Sequence, residues 1–422
     1  MFCSTKQEAI AYLTENDVKF VKCTFLDAAG KLRNISVLAS RAEEIFGTGV
    51  RVDASFVDGF ASPDLPDLWL LPDPITLATL PWRPSEGRVA RVFCELVDVH
   101  GEPFPLDCRR LLRGAAKRAR EAGLDLRVGS LCEFYLFRKD ENGQPTATPA
   151  DRAGFMDVFP DDACENVRRD IDLTLEEMGI LPESSHHECG PGQNEIDFRS
   201  ADPLTAADQF VLFCNVVRSV AAGYGLWADF SPMPILGEAG NGLHVAFTVS
   251  DTEKSPGEDE SEATRRAFLG GILAHIREIT AFLDPTEESY RRFGKGKAPR
   301  IIGYSECNRD QLIKLHRPAA MGIGTFNVIS PDPTANPYLA FALLIHAGLD
   351  GVEAYRAGSM TDPTQDGRFE VGADPKASYP EERLLPTTLT EAERLATESE
   401  FVRRILPGDT VARLFRARHA AN

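Results

Sequence analysis

The segment ESSHHECGPGQNEIDF, residues 183–198, constrains this chain more than any other. Two carboxylates, Glu188 and Glu195, flank a Gly-Pro-Gly turn, and His186 and His187 precede them. Proline presets its own φ and glycine tolerates the backbone of a tight turn, so the run reads as a chain reversal. Such a reversal brings both glutamates onto one site. The order and spacing of HHExGPGQxE are unusual, whereas a single strand histidine or glutamate is mostly structural.

Three more strand-like segments carry chemistry. In GSLCEFYLF, residues 129–137, a period of two places Leu131, Glu133, Tyr135 and Phe137 on one face. A lone glutamate on an apolar face is costly to bury unpaired, so Glu133 wants a metal or a cation. In GNGLHVAFTVS, residues 240–250, His244 opens a strand after two glycines and shares its face with Ala246 and Thr248. In residues 324–351, Asn327 and Ile329 share a face just before a Pro-Asp-Pro turn, and Pro337 starts or sits near the start of the next helix. Other residues take plainer readings. Cys132 points away from Glu133 and packs in the core. His186 and His187 shape the turn or touch substrate rather than bind metal. The run GKGK lacks the GxxxxGK[ST] spacing of a phosphate-binding loop.

Charge narrows the function classes. Lys and Arg number 46 against 64 Asp and Glu, a net charge of −18, which argues against nucleic acid and anionic membranes. The longest apolar run, Tyr338 to Leu349, is too short to span a bilayer, and no signal peptide is visible. Nine cysteines without a CxxC pair favour reduced thiols in a cytoplasmic setting.

The pattern of elements is α+β. Residues 5–17 read as an amphipathic helix and 18–37 as two strands around an Ala-Ala-Gly turn. Further strands are expected at 68–71 and 88–97, and the Pro-containing run at 101–110 marks a boundary. This gives a small β-rich domain over 1–102 and a large one over 103–422. The latter interleaves helices at 108–122, 161–179, 205–223, 263–283 and 334–350, and short ones within 388–420, with strands at 126–138, 192–199 and 242–250. Acidic residues 251–262 read as a surface loop.

The motifs in order resemble glutamine synthetase, specifically its bacterial type I branch and the γ-glutamyl-amine ligase relatives. They are VDASFVDGFASPDLPDLWLLPDP (52–74), EFYLF, SHHECGPGQNE, GNGLHV, ESYRRFGKGKAP, NRD, PDPTANPYLAFALLIHAGLDG and LPTTLTEAERLATESEFVRRILPG. The resemblance implies an N-terminal β-grasp domain and a catalytic domain with a curved antiparallel sheet flanked by helices. It also implies a homo-oligomeric ring, a dodecamer by family analogy, with sites between subunits. The implied chemistry joins a carboxylate substrate to an amine, with two divalent ions and ATP.

Matched residue by residue, the first metal site is complete in Glu133, Glu188 and Glu195. At the second, the family has glutamate where this chain has Leu131 and Asn327, and only His244 remains. A divalent ion needs several hard oxygen ligands, so one Mg²⁺ or Mn²⁺ is expected and the second is absent or weak. On the phosphate side Arg309 matches, Lys314 replaces a second arginine and loses its bidentate fork, and Ile329 replaces a third. Thr248 joins Arg309 and Lys314 as a nucleotide-side candidate. Ala246 replaces the second histidine of HxH, Gly322 a lysine, and Ala239 an asparagine. Arg292 matches the arginine that grips the substrate carboxylate. Asp53 matches the aspartate a neighbouring subunit contributes. Lys297 replaces the flap glutamate, so the flap repels an ammonium and favours an anion. The type I adenylylation tyrosine has no counterpart in residues 370–390.

Three readings follow. The first is an ATP-dependent carboxylate–amine ligase on glutamate or a relative. The second is a one-metal enzyme running altered chemistry on a carboxylate or amide without ATP. The third is a catalytically inactive structural or regulatory homologue. Whether ATP is used stays open at this stage.

Overall fold

Thr5 caps the first helix, accepting the Glu8 N–H while the Glu8 carboxylate returns to the Thr5 N–H, a reciprocal capping box. This computed structural model describes residues 3–57, 60, 66–83, 86–252, 259–306, 310–316, 324–359, 379–406 and 408–421. Within it the chain forms two units. The first comprises Met1–Leu111, Thr174–Gly179 and Pro407–Asn422, and the second Leu112–Leu173 and Ile180–Leu406. The two returning segments of the first unit were not legible in the sequence.

The first unit holds helix α1 (Lys6–Glu15), helix α2 (Ala42–Thr48) and six strands. These are β1 (Val18–Leu26), β2 (Leu32–Leu38), β3 (Val50–Val52), β4 (Leu68–Pro72), β5 (Ala78–Thr79) and β6 (Arg88–Val97). The sheet order is β2-β1-β6-β4-β3, with β5 on β6. The expected Ala-Ala-Gly reversal joins β1 to β2. Buried Asp27 fixes it by accepting the Ala29 and Lys31 N–H groups at 3.0 and 2.9 Å and pairing with Arg33.

The second unit is built on a nine-stranded sheet. Its strands are β7 (Leu124–Lys139), β8 (Pro145–Pro149), β9 (Pro182–His187), β10 (Gln193–Ala201) and β11 (Leu226–Asp229), then β12 (Leu243–Asp251), β13 (Ile301–Ser305), β14 (Gln311–Leu315) and β15 (Thr325–Val328). The order is β13-β14-β15-β12-β7-β10-β9, with β8 and β11 on β7, antiparallel except between β13 and β14. Helices α3 (Cys108–Glu121), α4 (Glu165–Glu177), α5 (Pro203–Gly223), α6 (Asp259–Leu283), α7 (Glu287–Arg292), α8 (Pro337–Arg356), α9 (Leu389–Glu398), α10 (Glu400–Ile405) and α11 (Thr410–Ala421) complete the chain. Alternation along β7 buries Cys132, Phe134 and Leu136 towards α5, where Phe134 meets Phe213 edge-on at 6.0 Å. The opposite face is left for the site.

The fold class is the expected α+β. The helix expected over 334–350 runs Pro337–Arg356, and two other helix starts shift. Helix α6 begins at Asp259, inside the stretch read as an acidic loop, because Asp and Glu are favoured in a helix's first turn. Helix α4 begins at Glu165, four residues later than expected; the Asp162 side chain, which accepts the Cys164 N–H, holds the chain outside the helix before it. Residues 253–258 lie outside the described residues.

Candidate active site

Strand register assembles the site in three transverse rows. Glu133 on β7 stands opposite Glu195 on β10, which stands opposite His186 on β9. Two residues along β7, Leu131 lies between Asp197 on one side and His244 on the other. Two residues further, Gly129, Ala246, Asn327 and Lys314 form the third row across four strands. Because side chains alternate, all three rows face the same way. Except for Gly129 and Ala246, they line one cavity of about 590 Å³, together with Glu188, Lys297, His316 and Ile329.

The hairpin that bears Glu188 is held by its turn. Glu188 N–H donates to the Gln193 carbonyl at 2.8 Å, and Gln193 N–H donates to the Gly190 carbonyl at 2.9 Å. Gly192 sits at φ +70°, and a Cβ on Gly190 would overlap the Tyr135 phenol. Both glycines are therefore required by this geometry. Asp151 ties the turn down, accepting the Gly192 N–H at 3.0 Å and pairing with buried His187 at 2.8 Å. His187 thus bonds within the turn rather than to the cavity.

The acidic row is crowded, and its carboxylates are buried. Side-chain donor atoms of His186, Glu188 and Glu195 lie within 4.8 Å of one another. His186 Nε2 is 3.6 Å from Glu188 and 3.7 Å from Glu195. Glu133 accepts the Gly242 N–H at 2.8 Å. Lys297 Nζ lies 2.8 and 3.1 Å from the two Glu188 oxygens and 4.2 Å from the Phe155 ring centroid. Burial alone would raise the Glu188 carboxyl, but hydrogen bonds from His186 and Lys297 outweigh it and hold it at about 2. Glu133 and Glu195 move the other way: burial, then the negative charge of neighbouring carboxylates, raises both. Burial, helped by Arg292 and Lys314, pushes His244 down to about 3, so it stands as a neutral imidazole.

A cation would be accommodated at the acidic row. Glu133, Glu188 and Glu195 offer hard oxygens and His186 an imidazole, and without added positive charge the group is strained by mutual repulsion. The second row offers one carboxylate, Asp197, which Leu131 separates from His244, and the polar group on the other side of His244 is the Asn327 amide. Among the described residues, these rows fit one divalent ion and not two.

The remaining candidates are placed as follows. Arg292 is buried; its Nη2 bonds Asp284 at 3.2 Å and the Ser330 carbonyl, and it lines a smaller cavity of about 70 Å³ with Glu133, Glu188 and Cys189. Thr248 shares the His244 face of β12 but lies outside the cavity lining. Asp53 belongs to the first unit, where its carboxylate accepts the Ser55 N–H at 3.0 Å. Arg309 and Gly322 lie outside the described residues. Sequence reasoning missed His316, Asp197, Phe155 and Met156. Asp197 follows Glu195 at the strand period and could have been found by it. His316 likewise follows Lys314, but its strand was not recognised. Phe155 and Met156 come from a loop that leaves no periodic signal.

Comparison with known proteins gives a consistent result. Residues 105–421 match the profile described as the glutamine synthetase catalytic domain, and residues 17–99 its beta-grasp domain. The chain is 39% identical over 411 residues to a glutamine synthetase of Methanosarcina mazei, covering 96% of this chain and 91% of that one. It is 38% identical over 420 residues to one of Clostridium saccharobutylicum, covering 96% and 92%. Among solved structures, a GmaS/ADP complex superposes with a TM-score of 0.81 at 27% identity, covering 98% of this chain and 95% of the other. A Plasmodium falciparum glutamine synthetase superposes with a TM-score of 0.84, covering 100% and 96%; at 17% identity it speaks to the fold alone.

Proposed function

The chain belongs to the glutamine synthetase family of ligases, and from that premise we propose that it joins a glutamate-like carboxylate to an amine around a single divalent ion, Mg²⁺ or Mn²⁺. The observation that carries this reading is the convergence of Glu133, Glu188 and Glu195 with His186 on one cavity. The ion would be held by those three carboxylates and would polarise the substrate carboxyl group as a Lewis acid. Lys297, on Glu188 at the cavity, repels an incoming ammonium and leaves passage to the neutral amine, which is the nucleophilic form. Arg292, buried beside Glu133 in the smaller cavity, is the residue for a substrate carboxylate. By the same family reading the protein is cytoplasmic and assembles into a ring, a dodecamer, in which Asp53 serves a neighbouring subunit's site; native mass spectrometry tests the assembly.

A second reading is favoured by one specific observation. Leu131, Asn327 and Ile329 line the cavity where a second ion and the transferred phosphoryl group need charge. On that reading the enzyme works without ATP on a carboxylate or amide. One experiment separates the two: ATP, glutamate and a panel of amines with Mg²⁺ or Mn²⁺, following ADP and amide together. Amine-dependent ADP release supports the ligase. Amide formed or cleaved without ADP supports the second reading. Calorimetric titration is expected to give one ion per subunit, and two tight ions would refute the one-metal site.

A further inference from the structure

The three rows that line the cavity differ in character, and their order along the sheet has a consequence for what can lie on them. The first row is acidic, with Glu133, Glu195 and His186. The second runs from Asp197 through Leu131 to neutral His244, and Ile329, past the end of β15, extends its apolar part beyond the histidine. The third ends in Lys314, with His316 beside it and Glu306, which follows Lys314's strand partner Ser305, on the same cavity. From Glu133 to Gly129 is four residues of strand, roughly 13 Å. A small acid cannot touch both end rows at once. An elongated one can, and its middle would then lie against hydrocarbon.

The loop beside the first row adds to this. Phe155 and Met156 also line the cavity, and both are substantially exposed. Phe155 meets His186 edge-on at 5.3 Å. Met156 stands at φ 60°, a left-handed conformation that an unbranched bulky residue rarely adopts, and its N–H donates to the His187 carbonyl at 2.9 Å. A glycine would relieve that strain but would remove the side chain from the cavity. Ligand cavities that combine apolar walls with a few fixed charges take ligands of matching pattern.

We propose that this cavity binds an elongated acid with an apolar body, its body over Leu131 and Ile329 and its anionic end at Lys314. This specifies the substrate class of the site in the preceding reading and rests on it. A substrate of this class carries a second carboxyl group, the reacting one, at the acidic row, and the apolar body sets it there by length; octanoate probes the body and the Lys314 end.

The test is equilibrium binding by calorimetry with the full-length protein, using octanoate, acetate and the uncharged octanamide. Octanoate is expected to bind at least tenfold more tightly than acetate. Leu131→Asn and Ile329→Asn should each weaken octanoate about tenfold and leave acetate unchanged. Lys314→Gln should erase the preference for octanoate over octanamide. Met156→Gly, which fits its φ and so keeps the fold, should weaken octanoate severalfold and guards against a variant that fails to fold. Octanoate binding no tighter than acetate, or insensitive to all four substitutions, overturns the proposal. So does ADP competing with octanoate and binding more tightly, since the Lys314 end would then belong to a nucleotide's phosphates. Binding is read without turnover, so octanoate bound as described in a protein that makes no amide refutes only the ligase reading. Robust amide synthesis from glutamate with no octanoate binding refutes only this inference.

Discussion

Lys297 offers the sharpest perturbation. Its ammonium lies 2.8 Å from Glu188, whose side chain is only 4% exposed, while the lysine side chain is 37% exposed. A divalent ion drawing on Glu188 must either displace this ammonium or sit beside it. Displacement costs the ion pair and the contact with the Phe155 ring; coexistence costs repulsion. Both act against the metal. At an effective dielectric of about 20, charges about 4 Å apart interact by about 4 kcal/mol. The lysine's exposure and its desolvation reduce the net to roughly 1–2 kcal/mol. Lys297→Met, which keeps the stem and removes the charge, should therefore tighten Mn²⁺ binding about tenfold in titrations of chelator-treated protein at pH 7.5. Lys297→Arg should restore the weaker affinity. Because the residue is half-exposed, the fold should tolerate both changes, and the thermal midpoint checks this. Metal affinity unchanged or weakened in Lys297→Met would refute the idea that lysine and metal compete for Glu188.

Other perturbations have defined outcomes. His275 is disfavoured as a cation by burial, but hydrogen bonds to Asp350 and Glu278 prevail and raise it to about 9. A raised folded-state pKa gives stability that is complete below the unfolded value near 6.5 and lost as pH rises through about 9. Urea unfolding should show roughly 1–2 kcal/mol less stability at pH 9.5 than at pH 6, after allowance for screening, and His275→Gln should remove that part of the slope. Gly271→Ala should destabilise by about 3 kcal/mol or more, because its Cβ would run into the Ala347 carbonyl and lie 2.7 Å from Gly351 N where α6 crosses α8. A thermal midpoint within a degree of the parent would refute that close packing. Gly190→Ala should lower metal affinity at least tenfold by pushing the turn off Tyr135 and moving Glu188, and unaltered titrations would show that the turn does not set the site.

Alternation made much of the second unit legible. The period of two in GSLCEFYLF put Leu131 and Glu133 on one face, and β7 carries them so. What it could not supply was register. Nothing local says that His244 pairs with Leu131 or that Lys314 pairs with Asn327; hydrogen bonding between strands remote in sequence decides this. Strand β9 falls within residues 183–198, read as strand-like about a turn, although its run ESSHH is polar, as an exposed edge strand is permitted to be. His316 was missed with its strand, since NRDQLIKLH has no clean alternation. The start of α6 was missed because acidic residues serve a solvated loop and a helix N-terminus equally well.

Register also changes what the substitutions mean. Positions 131 and 329 lie almost 200 residues apart, and read along the chain they are two unrelated apolar replacements of expected polar groups. On the sheet they flank the same histidine in one row. A one-residue slip of any of the three strands would turn its side chains to the opposite face, so the row exists only in this pairing. The neighbouring rows keep their charge, carboxylates in one and Lys314 in the other. The expected polar groups are lost in the second and third rows, at Leu131 and Ile329 and at Ala246 and Asn327, while the first row keeps its carboxylates, which is a local change in what the cavity touches rather than a decay of the whole site. That pattern is why the length and apolarity of the ligand, more than the presence of the carboxylates, are the properties to vary first.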